Sequence, residues 1–242
     1  MVRIGLDLGT TFSAISIYDG KSNPKLLKDI DGRVLTPSIV SFQNRGVMAG
    51  YNAYIKLLEG SPYCYTAFKT YMGSRDIEYC DDLGNKYSPE DLSQILVDHL
   101  LKKVRADYPG EKIEVVVTVP AYFDDVQRTQ TINAVERCGV TVLRDVNEPT
   151  AAAYYYGFEL DDRTTMVYDL GGGTFDVSII KNVVKNGVRE IEVVGTLGDH
   201  NLGGRDWDEL IMNHACEKFV ADCSSLDPRA DEDPSVSERL LQ

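Results

Sequence analysis

The residues best suited to chemistry lie in residues 166–180, which read Met-Val-Tyr-Asp-Leu-Gly-Gly-Gly-Thr-Phe-Asp-Val-Ser-Ile-Ile. Two apolar runs flank three consecutive glycines, a pattern typical of a β-hairpin with a special loop. Glycine lets the backbone approach a ligand closely, and consecutive amides in such a turn form a concavity for phosphate oxygens. Asp169, Thr174 and Asp176 flank the glycines, where a magnesium–phosphate group would need carboxylates and a hydroxyl. The alternative is a hairpin that is merely mobile.

A second copy of the pattern favours phosphate binding. Residues 4–17 read Ile-Gly-Leu-Asp-Leu-Gly-Thr-Thr-Phe-Ser-Ala-Ile-Ser-Ile, so they repeat strand, Asp-Leu-Gly, short Gly/Thr loop, Phe and strand. Internal repetition of a structural unit is the mark of a duplicated architecture. The sequence therefore predicts two related halves with a ligand clamped between them.

Composition narrows the classes of partner. The chain has 242 residues, 43% of them hydrophobic and 26% charged, which is enough apolar material for a buried core. Its formal net charge is -13 and basic residues do not cluster, so we expect no nucleic-acid partner. No apolar run approaches the roughly 20 residues of a membrane span, and we expect neither membrane contact nor a signal peptide.

The five cysteines are scattered and form no CxxC pair. This argues against a disulfide framework or a zinc site and predicts a reducing, cytoplasmic location. The three histidines are predicted to be structural, with His99 partly exposed on a helix and His200 and His214 too far apart for a helical metal pair.

The elements that must position the glycine-rich loops follow from local patterns. We predict strands at residues 2–8, 13–18, 24–30, 39–42, 113–119 and 140–146, and three more within 163–197. Helical pieces are expected at 52–58 and 65–72, a hairpin through 81–85, and helices at 124–139, 148–157, 206–220 and from Asp233.

The helix that begins at Ser88 has the strongest start signal. Ser88 can cap it, Pro89 suits the first turn, and the acids at 90 and 91 favour the positive end of the helix dipole. An apolar stripe follows at helical spacing: Leu92, Ile95, Leu96, Leu100 and Val104. Asp124 and Gln127 are predicted to cap the next helix in the same way, and the β-branched run 113–119 to form a central strand.

The order of these elements predicts a duplicated α/β fold. Three strands, an inserted subdomain at about 37–87, and then alternating helices and strands make one ribonuclease H-like unit, a first lobe at residues 1–160. Residues 161–242 restart the unit with three strands and a helix. We therefore expect a second lobe that is incomplete, in a chain that is a fragment.

Six segments together resemble the ATPase domain of the seventy-kilodalton heat-shock chaperones of the DnaK type, which has the actin-like ATPase fold. They occur in the family's order: residues 5–13, Thr-Pro-Ser at 36–38, Val-Pro-Ala-Tyr-Phe-Asp-Asp-Val-Gln-Arg at 119–128, Asn-Glu-Pro-Thr-Ala-Ala-Ala at 147–153, the hairpin of Asp169, and Leu-Gly-Gly at 202–204. The resemblance implies a nucleotide-binding domain that uses ATP/ADP and Mg2+. In the longer parent it implies ATP-driven peptide binding and release, a J-domain co-chaperone and a nucleotide exchange factor.

The resemblance also implies roles for individual residues. The first phosphate loop would be Gly9, Thr10, Thr11 and Phe12, and the second Gly171, Gly172, Gly173 and Thr174. Asp7 and Asp169 would hold hydrated magnesium, mostly through water. The catalytic set would be Lys69 at the γ-phosphate, Glu148 and Asp176 orienting the attacking water, and Thr174 close to the transferred group. Pro120 and Arg128 would relay the nucleotide state to the surface.

Several alternatives stay open at this point. Lys69 could be a surface lysine, and Pro120 and Arg128 a strand-end turn and a solvated helix arginine. The chain could also belong to an acetate- or sugar-kinase relative, to an actin-like filament protein, or to a protein that binds ATP without hydrolysing it. The family's adenosine-binding segments, interdomain linker and peptide-binding domain have no counterpart before Gln242, so we expect the fragment to be weak or inactive as an ATPase.

Overall fold

The structure is a computed structural model that describes residues 1–18, 20, 24–43, 45–157, 163–185, 188–199, 202–223 and 227. The strands are β1 Val2–Asp7, β2 Phe12–Tyr18, β3 Lys25–Leu27, β4 Thr36–Pro37, β5 Val40–Gln43, β6 Gly46–Ala49, β7 Cys64–Tyr65, β8 Tyr79–Cys80, β9 Lys86–Tyr87, β10 Ile113–Val119, β11 Thr141–Asn147, β12 Thr164–Leu170, β13 Phe175–Lys185 and β14 Val188–Asp199. The helices are α1 Tyr51–Leu58, α2 Pro89–Asp107, α3 Asp125–Glu136, α4 Glu148–Gly157 and α5 Gly204–Cys223, with a 3₁₀ helix at Phe68–Tyr71. The predicted α/β class is confirmed.

The larger sheet has the order β11-β10-β1-β2-β3, with β4 paired to β2. β10 runs parallel to both of its neighbours, β1 and β11, whereas β2 runs antiparallel to β1. A strand with parallel partners on both sides is covered by helices and is largely apolar, which explains the β-branched run within Ile113–Val119. The predicted central strand is confirmed.

Helix α2 covers this sheet with the predicted apolar stripe. Ser88 and Asp91 form a complete capping box, in which each side chain accepts from the other residue's backbone amide. Leu92, Leu96 and Val104 are at most 1% exposed and belong to one core cluster with β1 and β10 residues. The start of α3 has the same design, because Asp124 and Gln127 form its capping box. Both predicted helix starts are confirmed.

The inserted segment departs from the predicted pattern. A helical piece was expected over 65–72, but Cys64–Tyr65 is strand β7, which pairs with β5, and only Phe68–Tyr71 is helical. The reason is the left-handed conformation of Ala67, whose φ of 52° cannot continue a right-handed helix. The hairpin through 81–85 is present between β8 and β9, and α1 lies where a helix was predicted.

The smaller sheet consists of β12, β13 and β14, each antiparallel to the next. The three strands predicted within 163–197 are therefore confirmed. Helix α5 begins at Gly204, two residues earlier than predicted, because the Gly203 amide donates to the carboxylate of Asp206 at 2.7 Å and so caps this end. Three predictions lie outside the described residues: the structural role of His200, the helix expected from Asp233, and the lobe boundary at 160 and 161.

His99 is buried, contrary to the prediction that it is partly exposed. It lies on the α2 face next to Leu100 and is only 5% exposed. Its neighbours come from a loop distant in sequence, which local spacing could not reveal. In the described part of the chain, no helix has both the length and the apolarity needed to cross a membrane.

The α2–sheet contact generates a stability prediction. We expect Leu96→Ala to lower the free energy of unfolding by about 2–5 kcal/mol, because it removes a fully buried side chain and leaves a cavity. Ile95→Ala is the matched control, since Ile95 is adjacent but only partly buried, and it should cost clearly less. Urea denaturation followed by circular dichroism measures both. Equal losses would contradict the assignment of Leu96 to the core.

Candidate functional site

The first glycine-rich loop is held by a closed ring of hydrogen bonds. The Gly9 amide donates to the Ser13 hydroxyl at 3.2 Å, the hydroxyls of Ser13 and Ser38 are 2.9 Å apart, and Ser38 donates back to the Gly9 carbonyl at 2.8 Å. A Cβ on Gly9 would lie 2.1 Å from the Phe12 carbonyl oxygen, so only glycine fits this turn. The loop's backbone is therefore fixed by side chains that the sequence did not mark as functional.

Asp7 ends β1 immediately before this loop. Its carboxylate accepts a hydrogen bond of 2.7 Å from the hydroxyl of Thr118, the residue paired with it on β10. The side chain is otherwise exposed, as a group that binds a hydrated cation has to be. Thr118 was not recognised from the sequence, because its position beside Asp7 depends on the register of the parallel pair.

The second glycine-rich loop is held by the start of α5. The amides of Gly204 and Arg205 donate to the carbonyls of Gly171 and Gly172, both at 2.9 Å. A Cβ on Gly203 would come within 2.5 Å of the Gly172 carbonyl carbon, so the two segments pack backbone against backbone. This contact explains the first glycine of the Leu-Gly-Gly segment, Gly203, which is required by close approach rather than by a turn, whereas a Cβ on Gly204 would lie at an ordinary 3.9 Å from its nearest neighbour.

The two loops meet each other directly. A Cβ on Gly172 would lie 1.9 Å from the Thr11 hydroxyl oxygen, and one on Gly173 would lie 3.3 Å from Thr10 and 3.0 Å from Thr70. The duplicated hairpins predicted from the sequence are therefore brought face to face. Beside them lies a cleft of about 420 Å³ whose lining includes Thr10, Thr11 and Phe12 of the first loop.

Lys69 and Glu148 form a buried ion pair at this junction. The Lys69 Nζ atom lies 2.6 Å from Glu148 Oε1, and the two side chains are 5% and 18% exposed. Lys69 belongs to the 3₁₀ helix and Glu148 is the first residue of α4. The surface-lysine alternative is therefore wrong: the side chain is enclosed and points to a carboxylate 79 residues away in sequence.

Negative charge accumulates around this pair. Burial raises the pKa of Glu148, the carboxylates of Asp7 and Asp169 raise it further, and Lys69 acts in the opposite direction. The pKa of Asp169 is also raised, first by burial and then by Asp7. The site thus holds more carboxylate than its lysine can balance, and these hard oxygen donors are the kind that Mg2+ prefers. The residues present fit a magnesium ion.

The remaining predicted site residues lie on the second hairpin. Asp176 is directly opposite Asp169 in the β12–β13 register and is 2% exposed. Thr174 closes the loop, because its carbonyl accepts from the Gly171 amide at 2.8 Å. Its hydroxyl hydrogen-bonds Tyr122, whose pKa is raised by burial. Sequence reasoning gave Tyr122 no role, although it lies in a quoted segment; its contact with Thr174 is visible only in three dimensions.

Arg128 is not a solvated helix arginine. Its guanidinium donates to Asp145 and Asn147 on β11 at 2.7 and 2.8 Å, and to the carbonyls of Ala121 and Phe123 at 3.2 and 2.9 Å. It thereby ties the turn after β10 to the strand that leads into Glu148.

The sequence is similar to a known protein family and to curated members of it. The sequence model of the family described as "Hsp70 protein" matches residues 3–79 and 76–242. The "Chaperone protein DnaK" of Mycoplasmopsis agalactiae (strain NCTC 10123 / CIP 59.7 / PG2) is 40% identical over 233 residues, which cover 95% of this chain and 37% of that protein. The chain therefore spans little more than a third of the length of this relative.

The raised pKa of Asp169 generates a prediction about stability and pH. The folded state holds the proton of the Asp169 carboxyl group more tightly than the unfolded chain does. Protonated Asp169 therefore favours folding at low pH, and this contribution to the free energy of unfolding is lost as pH rises. We expect Asp169→Asn to stabilise the chain at pH 7 without magnesium, and the gain to vanish near pH 4, about where an unfolded aspartate titrates. Thermal unfolding across this pH range measures it.

Asp145→Asn is the control for this measurement. Asp145 is paired with Arg128 at 2.7 Å, so removing its charge should destabilise the chain at pH 7. Loss of stability in Asp169→Asn at pH 7 would contradict carboxylate crowding at the site.

Proposed function

The chain belongs to the Hsp70 family, and we propose that it is the nucleotide-binding part of a molecular chaperone that hydrolyses ATP to drive peptide binding and release. The observation that carries the proposal is the buried Lys69–Glu148 pair, enclosed where two glycine-rich loops meet beside Asp7 and Asp169. Family membership removes the support for the kinase and filament alternatives. The actin-like ATPase fold, with a first lobe at 1–160 and a second starting at 161, is part of this proposal.

The two loops bind phosphate in this proposal. In the loops Gly9–Phe12 and Gly171–Thr174, the amides of Gly9 and Gly171 hold the turns through Ser13 and Thr174, and the amides that follow them donate to phosphate oxygens. The fixed backbones of both loops keep these donors in place without reorganisation. Asp7 and Asp169 would hold the magnesium ion. When bound, the ion neutralises charge on the phosphates of ATP or ADP.

The buried pair and the second hairpin supply the catalytic groups. Lys69 stabilises the charge that develops on the transferred phosphoryl group, and Glu148 fixes the lysine's position. Glu148 and Asp176 orient the attacking water, and Thr174 lies close to the transferred group. Phosphoryl transfer depends mainly on positioning and charge neutralisation, so none of these residues has to be a strong base.

Coupling to the rest of a chaperone is a further part of the proposal. Arg128 donates hydrogen bonds both to the Pro120 carbonyl and to the strand that precedes Glu148. Movement at the site therefore reaches the surface through Arg128 and Pro120. The partners implied by the family are unfolded peptide segments, a J-domain co-chaperone and a nucleotide exchange factor. We place the protein in the cytoplasm, in keeping with four cysteines that are free thiols in the described residues.

Lys69→Ala tests the catalytic role. We expect the substitution to slow single-turnover ATP hydrolysis by at least about tenfold, which is a rise of roughly 1.4 kcal/mol in the activation free energy. The measurement uses the longest natural chain that contains these residues. ATP binding should weaken much less, because the lysine acts mainly on charge in the transition state.

Lys86→Ala is the matched control, since Lys86 also pairs with a glutamate at 2.6 Å but is 65% exposed. It should leave both quantities unchanged. Equal losses of binding and of hydrolysis for Lys69→Ala would remove Lys69 from the catalytic set, and wild-type protein that binds ATP without turnover would favour the non-hydrolysing alternative.

A further prediction concerns the 242 residues by themselves. Their second sheet and α5 expose large apolar side chains, among them Leu197 at 81% and Ile211 at 68%. We propose that these residues alone bind ATP at least about tenfold more weakly than the full-length DnaK relative, of which they match 37%, and turn it over slowly or not at all, because an open cleft screens phosphate contacts and buries little of the ligand. Isothermal titration of both chains with magnesium–ATP decides it, and comparable affinities would refute the idea.

A further inference from the structure

Three potential metal ligands converge away from the glycine-rich loops. Asp29 and Asp31 lie in the turn between β3 and β4, and His99 lies on α2. One ligand atom from each of the three side chains lies within 4.8 Å of those from the other two. The Nε2 atom of His99 is 3.5 Å from Asp31 Oδ2. None of these residues belongs to the proposed nucleotide site.

His99 is the residue that requires an explanation. It is 5% exposed, and its Nε2 atom has no hydrogen-bond partner among the described residues. The 3.5 Å to Asp31 exceeds the range of an N–H···O hydrogen bond, so that contact does not satisfy the ring. A buried polar atom without a partner costs free energy, and such an atom in a native protein often marks a ligand or ion that completes it. Here the atom lies 3.5 Å from the Asp31 carboxylate, and the Asp29 carboxylate belongs to the same cluster.

The two carboxylates are held in place by other groups. Asp29 accepts from the amides of Asp31 and Arg33 at 2.9 and 2.8 Å and from the Thr36 hydroxyl at 2.6 Å. An ionised carboxylate has about four acceptor positions, so Asp29 retains one. Asp31 accepts from the Asn52 side chain through Oδ1 at 3.2 Å, which leaves Oδ2 facing His99. Partners of this kind orient ligands in metal sites.

We propose that Asp29, Asp31 and His99 bind a divalent transition-metal ion such as zinc, with water completing the coordination shell. Two ligands about 2.0–2.2 Å from a tetrahedral ion are about 3.4 Å apart, close to the 3.5 Å between His99 and Asp31. Imidazole favours transition metals over Mg2+ and Ca2+, and two carboxylates balance the charge of the ion. The scattered cysteines argue only against a zinc site with thiolate ligands. The ligands proposed here are two carboxylates and an imidazole.

Space and access fit the same interpretation. Gly50, with φ of 70°, lies against the ring, and a Cβ there would be 2.8 Å from His99 Nε2. Glycine at this position therefore avoids a collision with the ring nitrogen. Asp31 is 21% exposed through its side chain, which gives an ion a route from solvent.

A bound ion would link α2 to the turn that leads into β4. Thr36, which donates to Asp29, lies two residues before Ser38, and Ser38 donates to the carbonyl of Gly9. The metal would therefore stabilise the segment that braces the first glycine-rich loop, and the site is structural rather than catalytic.

Titration with zinc and cobalt tests the site in the chain itself, with two variants that each remove one ligand. We expect one equivalent of Zn2+ to bind to the wild-type chain, and Asp31→Asn and His99→Gln each to raise the dissociation constant by roughly tenfold or more. Asp31→Asn changes a group near the surface and preserves the test if His99→Gln fails to fold. Mg2+ and Ca2+ should not displace the bound Zn2+ from the site.

His214→Gln is the matched control, because His214 lies exposed on α5 and should leave affinity unchanged. The visible spectrum of bound Co2+ separates this site from the cysteines, since thiolate ligation adds charge-transfer bands and nitrogen–oxygen ligation does not. Absence of binding to the wild-type chain, binding that both ligand variants retain, or a thiolate spectrum would each overturn the proposal.

Discussion

The buried ion pair between Lys69 and Glu148 is the interaction on which the site depends. Each charge would be costly to enclose alone, because burial removes its hydration, and the pair compensates only when both partners are held closely. The 3₁₀ helix supplies one partner and the first residue of α4 the other, so the inserted segment and the end of β11 have to be docked together. The 2.6 Å contact therefore couples the inserted segment to the sheet that carries Asp7.

Glycine has two separate uses around this pair. In the first loop it permits a tight turn, because the Phe12 carbonyl oxygen would collide with any side chain on Gly9. In the second, Gly172 and Gly203 are required because another segment lies against their backbone. The two hairpins resemble each other in sequence yet are held differently, the first by the hydroxyls of Ser13 and Ser38 and the second by the amides that begin α5.

The features that could be predicted from the sequence are those that depend on residues close together in the chain. The two capping boxes, the buried stripe of α2 and the central strand β10 depend on residues a few positions apart, and all were correctly predicted. The left-handed Ala67 was missed because a non-glycine residue carries no signal for that conformation. The burial of His99 and the contacts of Thr118 and Tyr122 depend on register and on packing between distant segments, so no local pattern could reveal them.

The β12–β13 register has a consequence for quality control of this protein. Asp169 and Asp176 face each other across the hairpin, and neighbouring residues on a strand point to opposite faces. A slip of one residue in β13 would keep both strands and most of their backbone hydrogen bonds while moving Asp176 to the other face. Such a chain would have an ordinary circular dichroism spectrum and yet lack a carboxylate where it is needed. Correct assembly of this hairpin therefore has to be checked with a probe of individual side chains or of activity, not with backbone spectroscopy alone.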